Sequence, residues 1–247
     1  MKVALRLLVA LLFLSAASVT LAQSSLRITP YLWAAGFEGT VGASGSGAGI
    51  GGQIDVNTDS LSDSLRLSGG MLHANWRNDR WSVFGDWTYA NAKVDAPSPF
   101  TVLYAGVDVK VKGNIVEAYG GYELTGARDS HVDVFAGARY YNMQVGLGLR
   151  EGTLPGALAT SSQNWVDGVI GARWDTRFAE NWEAFASADA GTGGSRLLWQ
   201  LFAGLGYRFG WGSVVGGWRH LHVDIDKSDF KLDGALSGPF LGASFTF

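Results

Sequence analysis

The chain has no cysteine among its 247 residues. That excludes a disulfide framework, a thiolate metal site and a cysteine nucleophile. It also has no excess of positive charge: 19 Lys+Arg stand against 22 Asp+Glu, a net charge of −3. A nucleic-acid partner needs clustered cations to neutralise phosphate, so none is expected. After residue 22 there is no run of 18 or more apolar residues, so no helix of the remaining chain is expected to span a bilayer. Only helices and closed barrels satisfy their backbone polar groups in lipid. The choice narrows to a periplasmic β-protein or a membrane barrel.

What is present is aromatic and glycine-rich: 10 Trp, 13 Phe, 8 Tyr and 35 Gly. The length suits one all-β domain or barrel. The first 22 residues read as a secretory signal. Lys2 and Arg6 supply the positive start and Leu7 to Leu14 a short apolar core. Thr20-Leu21-Ala22 places small residues at −3 and −1 for a cut before Gln23. The apolar core is too short for a retained anchor, and no cysteine follows the cut to carry a lipid. The expected organisation is a signal peptide over 1–22 and one barrel over 23–247, exported through the periplasm to the cell outer membrane.

The strand pattern selects the barrel. Apolar and polar residues alternate over runs of about ten, which is the transmembrane-barrel signature. Leu197, Trp199, Leu201, Ala203, Leu205, Tyr207 and Phe209 form one row, and Leu198, Gln200, Phe202, Gly204, Gly206 and Arg208 the other. The first row should face lipid, with aromatics at both ends. The pattern predicts ten strands, over 27–41, 65–77, 80–95, 106–125, 131–149, 162–178, 181–191, 195–209, 213–226 and 230–247. Short and longer links alternate between them, as in barrels with both termini in the periplasm. If one hairpin stays outside the membrane the count falls to eight. The fold class is therefore an all-β, closed antiparallel transmembrane β-barrel.

Alternation slips near Ala90–Ala92, near Gly113-Asn114 and near Trp218-Arg219. On a strict count Arg219 points at lipid, and a bulge beside Gly216-Gly217 would turn it inward. Residues 42–64 stand apart as a Gly-rich outer loop. Within it, Ile54–Leu65 reads either as a turn of helix at the barrel mouth or as plain loop.

Thr29-Pro30-Tyr31-Leu32-Trp33, Trp81-Ser82-Val83-Phe84-Gly85-Asp86, Ala136-Gly137-Ala138-Arg139-Tyr140 and Trp165-Val166-Asp167 with Gly171-Ala172-Arg173 carry a resemblance. They resemble segments of a family of proteobacterial outer-membrane β-barrel proteins without an established biochemical activity. Ser237 to Phe247 is similar to that family's last strand, and its end, with Phe245 and Phe247, looks like the signal read by the outer-membrane assembly machinery. The resemblance covers nearly all of the chain after residue 22 except 42–64. It implies a location and a fold, with outer-membrane lipids and the assembly machinery as partners, and it implies no reaction.

One constellation could carry chemistry: His220, His222, Asp224 and Asp226 share one strand face. Imidazole beside carboxylate can activate water, as in outer-membrane proteases, or bind a metal. The plainer reading, taken here, is lumen lining, because acids and arginines recur on other inner faces. Those acids are Asp86, Glu117, Glu123, Asp133, Asp167, Asp175, Glu183 and Asp189. The cations are Arg139, Arg173, Arg177, Arg196 and Arg208. A mixture of both signs reads as a salt-bridge plug more than as a selective channel ring. Asp55-Val56-Asn57-Thr58-Asp59 opens like a calcium loop, but Ser60 and Arg66 stand where that loop needs glycine and glutamate. No catalytic residue, metal or cofactor is assigned. The expected role is a structural or narrow-channel barrel. An outer-membrane hydrolase on the His220/His222/Asp224 face and an adhesion module using the outer loops are the alternatives.

Overall fold

The computed structural model describes residues 24–44, 51–57, 68–96, 104–127, 129–153, 155–227 and 230–247. The expected signal peptide lies outside them. Twelve strands are present: β1 (Ser24–Trp33), β2 (Gly36–Ser44), β3 (Gly51–Asn57), β4 (Ser68–Asn78), β5 (Trp81–Ala96), β6 (Tyr104–Ala127), β7 (Ser130–Glu151), β8 (Ala157–Arg177), β9 (Trp182–Gly193), β10 (Leu197–Phe209), β11 (Gly212–Lys227) and β12 (Phe230–Thr246). All pairings are antiparallel between neighbours, and β1 closes the sheet by pairing with β12.

The twelve strands make ten staves. β12 pairs along its last part with β1 and along its first part with β2, so β1 and β2 are one stave interrupted at Ala34-Ala35. The ladder is bridged there by the Ala34 N–H donating to the Pro239 carbonyl at 2.9 Å. Gly238 permits that approach, since a Cβ would lie 1.9 Å from the Ala34 oxygen. β3 pairs with β2, and β4 with β1, so those two form the second stave. An eight-strand barrel is thereby excluded. The Gly-rich segment is corrected too: β2 runs to Ser44, and Gly51–Asn57 is strand, so the helical option fails over 54–57.

The connections at one end are tight. Asp79 takes a left-handed φ of 52° in the two-residue turn between β4 and β5, a conformation Asp tolerates. The wall is uneven in height: β6, β7 and β8 have 24, 22 and 21 residues, whereas β9 and β10 have 12 and 13.

Side chains follow the period of two. Leu201, Leu205, Ile170 and Leu241 are exposed on the outside, while Gln200, Asp167, Asp189 and Phe240 are buried inside. Aromatics bound the outer belt: Trp81, Trp174, Trp182, Phe209 and Trp211 toward the end with the termini, and Trp87, Tyr140 and Trp218 toward the other. From Trp199 to Tyr207 the belt spans about 27 Å of strand, or about 21 Å of height at a tilt of about 40°.

Many inward glycines serve one packing need, which is room for a large inner side chain on the next strand. A Cβ on Gly171 would lie 2.4 Å from the Phe135 ring, and one on Gly204 2.7 Å from the Phe185 ring.

A depth test follows. Leu205→Arg should lower folding stability by about 2–4 kcal/mol, because it places a cation deep in the belt. Asp233→Arg, also outward but beyond the belt, should cost about 0–1 kcal/mol. Urea unfolding in lipid vesicles measures both.

Candidate functional site: a sealed lumen

The inner faces build the lumen in layers. At its centre lies a closed ring of hydrogen bonds and one ion pair through five strands. Arg219 on β11 donates from Nη2 to Glu117 Oε1 on β6 at 2.8 Å. Arg139 on β7 meets the same oxygen from Nε at 3.1 Å and donates from Nη2 to Asp189 on β9 at 3.0 Å. Gln200 on β10 donates to Asp189 at 3.3 Å and accepts from Arg219 Nε at 3.0 Å. The ring therefore closes through a neutral amide.

Two tyrosines brace it. Tyr31 Oη accepts from Arg219 at 2.6 Å and donates to Asp86 at 2.8 Å. Tyr119 Oη accepts from Arg139 at 2.9 Å and donates to Glu117 at 3.2 Å. The Arg219 guanidinium also lies 4.7 Å from the Trp33 ring, a cation–π contact. Arg139 and Arg219 are among the most deeply buried side chains of the protein. Such charges persist only when paired and hydrogen-bonded.

Below the ring, aromatic rings fill the bore from both sides. Phe84, Tyr119 and Phe135 sit with centroids 5.1–5.2 Å apart. Phe202 stacks on Phe240 at 4.4 Å, with Phe185 beside them. Toward the end bearing the termini comes a second charged layer. Asp133 accepts from Arg173 Nε at 2.7 Å and from Arg77. Arg77 also reaches Glu123 at 2.7 Å, which meets His131 Nδ1 at 3.1 Å. Arg27 stands 3.5 Å from Glu183 near the mouth.

Above the ring the polarity reverses. Asp167 is held by the Trp165 indole N–H at 3.0 Å and the Ser195 amide at 2.8 Å. Around it the interior is apolar: Tyr141 stacks on Trp165 at 4.6 Å, and Leu198, Leu221, Val223, Ile225 and Leu232 are buried.

This reversal overturns one expectation. His220, His222, Asp224 and Asp226 do not line the lumen. β11 keeps an unbroken register with both neighbours from Ser213 to Asp224. Val215, Arg219, Leu221, Val223 and Ile225 are buried inside, and Val214 and Trp218 are exposed outside. The four residues therefore share the outward row. No bulge at Gly216-Gly217 is present; simple alternation turns Arg219 inward. Beyond the belt the outer wall is polar and the inside apolar, as in a soluble β-protein, and the apolar-out rule was applied one level too high. Arg196 is outside as well, 3.8 Å from Asp224.

The ring and second layer contain Asp86, Glu117, Asp133, Arg139, Arg173 and Asp189 from the expected lining. Glu183 lies near the mouth, and Asp175 and Arg208 stand on inner rows further out, Arg208 exposed. Sequence reasoning placed Gln200 on an inner row and turned Arg219 inward by a bulge that is absent; it missed Arg77, Arg27 and both tyrosines. For Tyr31, the alternation Thr29, Tyr31, Trp33 against Pro30 and Leu32 was the available signal.

No protein-family model matches the chain, and neither does any curated protein sequence. Solved structures do resemble it. The outer membrane protease OmpT from Escherichia coli is 10% identical, with 93% of this chain and 98% of OmpT aligned and a TM-score of 0.53. The chain is an outer-membrane-type β-barrel. The attachment invasion locus protein Ail of Yersinia pestis aligns over 91% of this chain and 99% of its own at 13% identity, with a TM-score of 0.38. OprG from Pseudomonas aeruginosa aligns over 91% and 96% at 11% identity, with a TM-score of 0.35. The likeness to OmpT concerns the fold alone.

Removing Arg219 should expose the energetics of the ring. Arg219→Met leaves Asp86 and Glu117 without their shared cation and should lower stability by about 3–5 kcal/mol. Adding Asp86→Asn to it should recover part of that loss, since Asp86 keeps no guanidinium partner once Arg219 is gone. Equal stability of the single and double variants in urea titrations would contradict the pairing.

Proposed function

We propose that the protein is an exported, integral outer-membrane barrel that acts without catalysis, as a sealed structural element of that membrane. The observation that supports this reading is the filled bore: two charged layers, an aromatic layer between them and an apolar layer above. The cavity beside the ring, between Asp86, Asp189 and Phe202, has a volume of about 60 Å³, room for a few waters and not for a solute path. A ten-stave barrel is also narrow enough for side chains to fill, unlike open channels of about 16–18 strands. In this reading outer-membrane lipids contact the aromatic belt. The assembly machinery reads the end of β12, where Phe245 and Phe247 are exposed.

In favour of the non-catalytic reading over a hydrolase using His220 or His222 beside Asp224 at the outer rim, both imidazoles stack on Trp199.

Planar-bilayer recording of the folded barrel tests the reading. The expected trace has no stepwise conductance at moderate voltage. Discrete, reproducible openings would show that the layers part and that a channel role is correct.

A further inference from the structure

The outward turn of β11 brings donor atoms together on the outer wall at the rim of the belt, where His222 pairs with Trp199 and His220 with Leu201. His220 and His222 lie two residues apart on the same face of one strand. Trp199 lies against both rings, with centroids at 4.6 and 5.8 Å and the same 26° tilt to each. On β12, Asp233 Oδ1 is 3.6 Å from His222 Nε2, and its side chain is 70% exposed. Glu38 on β2 occupies the same cross-strand row as His222, with only Ala235 between them.

We propose that His220 and His222 chelate a divalent transition-metal ion such as Zn2+, with Asp233 as the third ligand. Two imidazoles and a carboxylate are the donor set such ions prefer. Among the described residues no three donors already surround a common point. The ion draws them together by rotation of partly exposed side chains, with no shift of the strands. Glu38 adds negative charge on the far side of Ala235 and completes an electrostatic well for a cation. Binding requires neutral imidazoles, so protons compete with the ion. The inference does not depend on the lumen being sealed.

The test is calorimetric titration of Zn2+ into the untagged barrel, folded in detergent micelles at neutral pH. One saturable site is expected in the wild type. His220→Ala combined with His222→Ala should weaken it by at least about tenfold, while the sample keeps its heat-modifiable migration on a gel. If the double variant does not fold, His222→Gln alone carries the same expectation. Asp233→Asn should weaken binding less than loss of either histidine. No saturable binding by the wild type, or unchanged affinity in the histidine variants, overturns the proposal.

Discussion

Two guanidinium groups buried in the bore set the terms for the rest of the barrel. Arg139 and Arg219 cannot be hidden from water without carboxylates in hydrogen-bond reach. Those carboxylates come from β5, β6 and β9, with Gln200 on β10 closing the ring. A slip of one residue in any of these strands would turn its charged member toward lipid. The ring therefore acts on specificity as well as stability: it selects one register for strands whose outer faces are alike. The run Ala184, Ala186, Ala188 and Ala190 on β9 shows why this matters, since a uniform alanine face holds little register information of its own.

The barrel wall obeys two polarity rules in succession. Within the aromatic belt it is apolar outside and polar inside, because lipid surrounds it and the bore holds the charges. Around and above the rim at Trp199 the outside carries His220, His222, Asp224 and Asp233, while Leu221, Val223, Ile225 and Leu232 pack inside. A single strand, β11, crosses from one regime to the other without a bulge. Its alternation never changes; the solvent outside does.

This explains what could and could not be read from the residues alone. The stave count, the belt and the inner placement of Asp86, Glu117, Arg139 and Asp189 follow from alternation, which is local and strong. The break at Ala34-Ala35 was not legible, because it depends on Gly238 in a strand some 200 residues away in sequence. Nor was strand Gly51–Asn57, whose glycines and short polar residues read as loop until β2 supplies a partner. Arg219 was turned inward for the wrong reason, a bulge, because hydropathy cannot say at what height lipid gives way to water. Its inward direction becomes plain only when Leu221 and Ile225 are seen to be buried too.

The central claim is that the two arginines are locked in a closed ring. Nitrogen-15 NMR of their guanidinium groups in micelles tests it most directly. Locked groups should give separate Nη proton signals for Arg139 and Arg219, with hindered rotation and slow exchange with water. Averaged Nη signals that exchange as fast as those of exposed arginines would contradict the account, because they would mean that the ring opens.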